Sequence, residues 1–213
     1  MSFEVPQDLL KITISAEEYR MLEDLKERKL YLYREIEPLG YEETSNEFAS
    51  TATYIVKAIL DFNREDISIP PADRKPIKLY INSPGGDVAE GLPIIAAIEL
   101  SKTPVYTINV GQWCSMAFLI GITGHKRFSL PYATFLLHEG SSFAGGAANK
   151  VQDRVKFDER VEKEVIKPHV LKHSNMKELE YDALARVEYY LLPPDAKERG
   201  FIDEVVSDIS TIL

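Results

Sequence analysis

Ser115 is the residue whose setting offers the most chemistry. It follows a glycine in GQWCSMAFL (111–119) and opens an almost uncharged helix. Its hydroxyl is therefore expected at the positive end of that helix, beside backbone N–H groups that lack a helical partner. Such surroundings can hold a developing oxyanion. Two signals flank the serine. Upstream, SPGG (83–86) supplies paired glycines that allow close backbone approach. Downstream, the apolar run ATFLLH (133–138) ends in His138, a residue type suited to general acid–base work. Each signal alone has an ordinary explanation, since serines cap helices, SPGG makes a turn and histidines end strands. The other histidines are weaker candidates. His125 lies in the turn GHKR, and His169 and His173 lie near the end of a long helix. Those two stand four residues apart, but Pro168 is expected to disturb their register and no cysteine completes a set, so no metal site is expected.

Around these residues the chain alternates strand and helix. Ser15 to about Arg28 has capping-box spacing and a Tyr19, Leu22, Leu25 stripe, read as a helix packed on its own domain. Lys29–Glu37 reads as a strand ended by Pro38 and Gly40, and Asn46–Asn63 as a helix covering a sheet. REDISIPPADRKP reads as a surface loop. Strand Ile77–Ile81, helix Val88–Leu100, strand VYTINV, the helix at Ser115 and short strands at KRFSL and ATFLLH follow. This alternation indicates an α/β core with helices covering a sheet, and periodicity alone suits a doubly wound fold equally well. Asn149 to about Lys172 reads as a long charged helix with a narrow valine stripe, kinked or ended near Lys167 by Pro168. A helix (MKELEYDALAR), a strand (YYLL), a short helix (PPDAKERG) closed by Gly200 and a strand (FIDEVV) complete the chain.

With YINSPGGDVAEG, GQWCSMA and KRFSLPYATFLLHEG in these positions, the chain resembles the proteolytic subunit of the Clp protease, a serine peptidase of the crotonase-like superfamily. The resemblance is strong from about 77 to 145 and weak in the first 30 residues or so. It implies a crotonase-like spiral of β-β-α units in a single domain spanning 1–213, with 1–28 a divergent N-terminal segment and about 149–172 a protruding handle helix used in assembly. It implies Ser115 as nucleophile, His138 as general base, and the N–H groups of Gly86 and Met116 as the oxyanion hole. The family's aspartate position falls on Glu188, with Asp182 and Asp195 as less well aligned alternatives. Extended peptide would run past Gly85, Asp87, Val88 and Ser141, Ser142, Phe143, with Gly85 chiefly shaping its turn. The family assembles as heptameric rings stacked in pairs, a tetradecamer enclosing the active sites, and works with an AAA+ unfoldase. Its subunits usually begin with a hydrophobic-and-basic pore segment, whereas the stretch here is acidic and helix-like. Trp113 and Cys114 also depart from the small residues usual beside the nucleophile. Trp113 is expected to alter packing or a neighbouring interface and Cys114 to pack inward. Two rival functions are a catalytically impaired scaffold subunit of a mixed ring and, less well matched, an acyl-CoA-type crotonase enzyme.

Composition sets the outer bounds. The chain has 213 residues, 45% hydrophobic and 28% charged, enough for one substantial core. A net charge of -9 argues against general nucleic-acid binding. The single cysteine excludes an intrachain disulfide and fits a reducing compartment. No signal-peptide pattern and no apolar run near the roughly 20 residues of a bilayer span are seen, so a cytoplasmic protein without membrane insertion is expected. No GxxxxGK[ST] loop is present, so no cofactor is expected and any ATP dependence would lie in a separate partner.

Overall fold

The structure, a computed structural model, describes residues 15–37, 51–140 and 145–213. The expectations for residues 1–14, for Pro38, Gly40 and 46–50, and for Ser141, Ser142 and Phe143 lie outside the described residues. Strands β1 (Lys29–Leu32), β2 (Ile77–Ser83), β3 (Val105–Cys114), β4 (Lys126–Ser129), β5 (Thr134–Leu137), β6 (Tyr189–Leu191) and β7 (Glu204–Val205) form one sheet. Its parallel path runs β1-β2-β3-β4-β7. Apolar residues alternate across β2 as the pleat requires. Ile77, Leu79 and Ile81 enter the main core, while Tyr80 joins Ile108, Phe128, Val206 and Ile212 on the opposite face.

β3 is long enough to serve two neighbours in succession. Tyr106–Asn109 pairs with β4, and Gln112–Cys114 pairs with β5. Fully buried Asn109 sits at the fork. Its Nδ2 donates to Thr134 O at 3.0 Å and its Oδ1 accepts the Gly111 N–H at 3.1 Å. The β2–β3 register shifts at the same level, between Ile81 and Ser83. The Asn82 side chain occupies the space a Cβ on Gly111 would need. The fork turns the end of β3 away from β4 and aims it at β5, the strand that leads to His138.

Helices α1 (Ala16–Lys26), α2 (Thr51–Glu65), α3 (Val88–Leu100) and α4 (Met116–Ile122) precede the long C-terminal helical run. Ile55, Ile59 and Phe62 of α2, Ile94 and Ile98 of α3, and every residue of α4 are buried with the main-core face of β2. α1 departs from its reading, because only Leu25 of its stripe packs on this core while Tyr19 and Leu22 remain about half exposed.

The helical run comprises α5 (Ala148–Val161), a π-helical turn (Glu162–Ile166) and α6 (Lys167–Lys172). Of the kink or end expected at Pro168, an end is not found, since the helical run continues through it. The Lys167 N–H instead bonds Glu162 O, five residues back, and this π turn widens the helix just before the proline so that its ring is accommodated without ending the run. α5 has no buried residue, and Val155 and Phe157 are 44% and 57% exposed. α7 (Glu178–Leu184) and α8 (Pro193–Glu198) complete the helices, with Gly200 at φ 74° after α8. Among the described residues no helix is long and apolar enough to cross a membrane.

Candidate active site

β3 runs on to Cys114, so its alternation fixes the residues before the serine. Trp113 points into the core with no exposure, its ring edge-on to Phe135 at 5.5 Å. The ring lies where a Cβ on Gly121 would be, so the glycine in α4 makes room for it. Trp113 is therefore a core residue and neither lines the approach to Ser115 nor meets an interface. Cys114 takes the opposite face, partly exposed, its Sγ 3.5 Å from Gln112 Oε1, which corrects the expectation that it packs inward. Burial first, and the Glu188 carboxylate second, push its thiol above the usual cysteine range. It stays protonated near neutral pH, a poor nucleophile.

Ser115 leaves the strand at φ 54°, ψ −124° and starts α4 as its N-cap. A non-glycine residue there costs on the order of 1–3 kcal/mol, whereas a plain cap is served by relaxed extended geometry. Its carbonyl accepts the Phe118 N–H at 2.9 Å, which leaves the Met116 N–H in the unpaired first turn. Gly85 and Gly86 have φ of 97° and 137°, and Gly85 lies against this turn while Gly86 backs onto Ile36. A Cβ on Gly85 would stand 2.7 Å from Ser115 Cβ and 2.9 Å from Met116 N. A Cβ on Gly86 would stand 2.7 Å from Ile36 N. The loop is held by the Ile36 N–H to Gly85 O and the Asp87 N–H to Ile36 O, both 2.7 Å, so Gly86's own amide is outside that pairing. Ser83 Oγ also accepts the Gly85 N–H at 3.1 Å. The Asp87 side chain caps α3 by accepting the Glu90 N–H at 3.0 Å, and its carbonyl accepts the Gly91 N–H at 3.1 Å. Gly85 and Asp87 thus shape the loop with groups already engaged, and Val88, 37% exposed, is the outward side chain of this segment.

Strand register brings the histidine and the glutamate to the serine. Cys114 pairs with Leu136 in parallel, and the Ser115 N–H donates to Leu136 O at 3.0 Å, two residues before His138. On the other edge of β5, Leu137 pairs antiparallel with Tyr189, so His138 and Glu188 are the next cross-strand pair. His138 Nδ1 lies 2.8 Å from Glu188 Oε1. A proton on Nδ1 donated to that carboxylate leaves the Nε2 lone pair free. Among the described residues no hydrogen bond joins Ser115 Oγ to the ring; such contacts often tighten only with substrate bound. A cleft of about 510 Å³ is lined by His138, Gly140, Arg186 and Glu188, and Ser115 does not line it. The alternatives to Glu188 are otherwise engaged, Asp182 with Lys167 Nζ at 2.7 Å and Asp195 with the Leu192 N–H at 3.2 Å. His125 Nδ1 accepts the Val105 N–H at 3.1 Å. His169 and His173 do share a helix face and converge on Glu99, contrary to the expected loss of register. The π turn lies N-terminal to both, so the spacing between them is undisturbed.

A mostly parallel sheet with helices packed on it, and a strained serine turn facing Gly85, belong to an α/β chain of crotonase-like fold. The model of the Clp protease family matches residues 19–208, and the chain belongs to that family of serine peptidases. It is similar to the ATP-dependent Clp protease proteolytic subunit 3 of Synechococcus sp. (strain CC9605), at 33% identity over 164 residues, 73% of this chain and 76% of that protein. Subunit 3 of Parasynechococcus marenigrum (strain WH8102) is 32% identical over the same shares. Subunit 2 of Prochlorococcus marinus subsp. pastoris (strain CCMP1986 / NIES-2087 / MED4) is 35% identical over 62% of this chain and 67% of its own.

Proposed function

We propose that this chain is a serine endopeptidase that cleaves extended polypeptides through an acyl-enzyme formed on Ser115. The observation that carries the reading is the strained Ser115 turn, laid against Gly85 and bonded to the strand that leads to the His138–Glu188 pair. Ser115 Oγ attacks the scissile carbonyl while His138 Nε2 takes its proton, later returned to the leaving amine. The oxyanion accepts from the N–H groups of Gly86 and Met116. Glu188 keeps the imidazole in the needed tautomer and stabilises its charged form. Water then releases the acyl group by the same route in reverse. Val88 and the segment holding Ser141, Ser142 and Phe143 flank the peptide, which pairs through its main chain.

The reading extends to a single-domain subunit of stacked heptameric rings in the cytoplasm, joined through the helix of residues 148–172. An AAA+ unfoldase would be needed for folded substrates and not for short peptides. The rival is a scaffold subunit that completes a mixed ring without cutting. Hydrolysis of a fluorogenic peptide by the purified chain separates the two. S115A should abolish turnover with assembly unchanged, while C114A keeps most of it. Turnover surviving in S115A, or no turnover in the wild-type chain, would reject the peptidase reading.

A further inference from the structure

Away from the serine, Glu99 near the end of α3 meets His169 of α6 and His173, the residue that caps the C-terminal end of α6. One candidate ligand atom from each lies within 4.8 Å of the others. We propose that these three side chains form a binding site for a first-row divalent metal ion, with Zn²⁺ the best match.

The protonation of His169 is fixed by its surroundings. Its ring is 92% buried, and Nε2 lies 3.1 Å from Leu119 O and 3.2 Å from Thr123 Oγ1. The Thr123 hydroxyl already donates to Leu119 O at 2.8 Å, so its oxygen is free to accept. Two acceptors place the ring proton on Nε2, and the lone pair is therefore on Nδ1. That lone pair points at Glu99 Oε1, another acceptor, 3.7 Å away. No proton lies between these two acceptors, and the charge of Glu99 Oε1 is offset in the metal-free chain by the Lys172 ammonium at 2.7 Å, a place a metal cation could take. An imidazole held through its far N–H to a backbone carbonyl is also the usual support of a metal-bound histidine.

The third ligand completes a workable geometry. His173 Nε2 is 3.1 Å from Glu99 Oε1, and the two rings lie 4.6 Å apart. A tetrahedral ion with bonds of about 2.1 Å separates its ligands by about 3.4 Å. The two glutamate–histidine separations are 3.1 and 3.7 Å, and the two histidine nitrogens lie within 4.8 Å of each other, so a modest closure would seat the ion. Two imidazoles and one carboxylate select zinc-like ions over Ca²⁺ or Mg²⁺, which prefer oxygen. Partial exposure of Glu99 and His173 leaves the fourth position to water. Loading requires two displacements. His173 gives up its Nε2 proton or shifts it to Nδ1, and the Lys172 ammonium, 2.7 Å from Glu99 Oε1 on a 62% exposed side chain, swings into solvent. A bound ion would tie the end of α3 to α6 and, through Leu119 O, to α4, whose other end carries Ser115.

The inference is independent of the peptidase reading and is tested on the full-length chain in its native assembly, stripped of metal and titrated with Co²⁺. A d–d absorption band of tetrahedral intensity with Kd below about 100 μM is expected for the wild type. H173Q and E99Q should each weaken binding at least about tenfold, and K172Q should bind no more weakly than the wild type. Circular dichroism of each variant checks that it is folded, and H169Q is omitted because that ring is buried. No band in the wild type, a loss under tenfold in either H173Q or E99Q, or weaker binding in K172Q would overturn the site.

Discussion

At the scale of single residues, the departure at Glu188 is the sharpest test of mechanism. Its carboxylate is 57% exposed and reaches His138 from the neighbouring strand, so water competes for the ring. Removing the charge while keeping the size, in E188Q, should leave KM nearly unchanged and lower kcat by roughly 10²–10³, less than the loss of about 10⁴ seen for a buried orienting aspartate. E188D should also lose rate, because the β5–β6 register is set for the longer side chain. Stopped-flow acylation measures both, and wild-type kcat in E188Q would remove Glu188 from the mechanism. The pairing of His138 with Glu188 was legible from the resemblance. The strain at Ser115 was not, since serine carries no mark of a positive φ. Cys114 was misplaced because VYTINV was read as ending at 110, whereas β3 runs to 114 and its alternation sends Trp113 inward.

At the scale of elements, the sheet's first crossover is locked by an ion pair that no motif announced. Arg28, just after α1 at φ 59°, binds both oxygens of buried Asp66 at 2.6 Å, and the Thr103 hydroxyl adds a bond of 2.8 Å. Asp66 follows α2 and Thr103 precedes β3, so one carboxylate joins three connections. The Arg28 guanidinium, assisted by Thr103, holds that carboxyl below the usual aspartate range. A depressed carboxylate pKa adds stability that is complete at neutral pH and is lost only as pH falls through the lowered value. D66N should therefore destabilise by about 3 kcal/mol at pH 7 in urea unfolding, and the gap to the wild type should narrow in acid. A gap that is constant with pH would mean the charge is not what matters. Strand and helix positions were legible from apolar period. Continuation through Pro168 was not, because the π turn that relieves it depends on a single shifted hydrogen bond.

At the scale of the whole molecule, α5 is a helix without a core of its own. Its Val155 and Phe157 are exposed, and the proposed assembly on the order of fourteen subunits would cover them with a second copy. Light scattering should find that mass for the wild type, and V155D/F157D should reduce it to single rings or smaller while leaving the far-UV spectrum unchanged. Full-size assemblies in the double variant would exclude this face. The narrow stripe was legible as a helix, while the forked β3 that aims the serine at β5 was not, because buried Asn109 is silent in a hydropathy pattern.

The central claim is that Ser115 is an activated nucleophile, and its most direct test is intact-mass analysis of the assembled chain after a fluorophosphonate probe. One adduct per chain, mapped to Ser115, absent in S115A and formed more slowly in E188Q, is the predicted result. An unlabelled wild-type chain, or an adduct that persists in S115A, would contradict it.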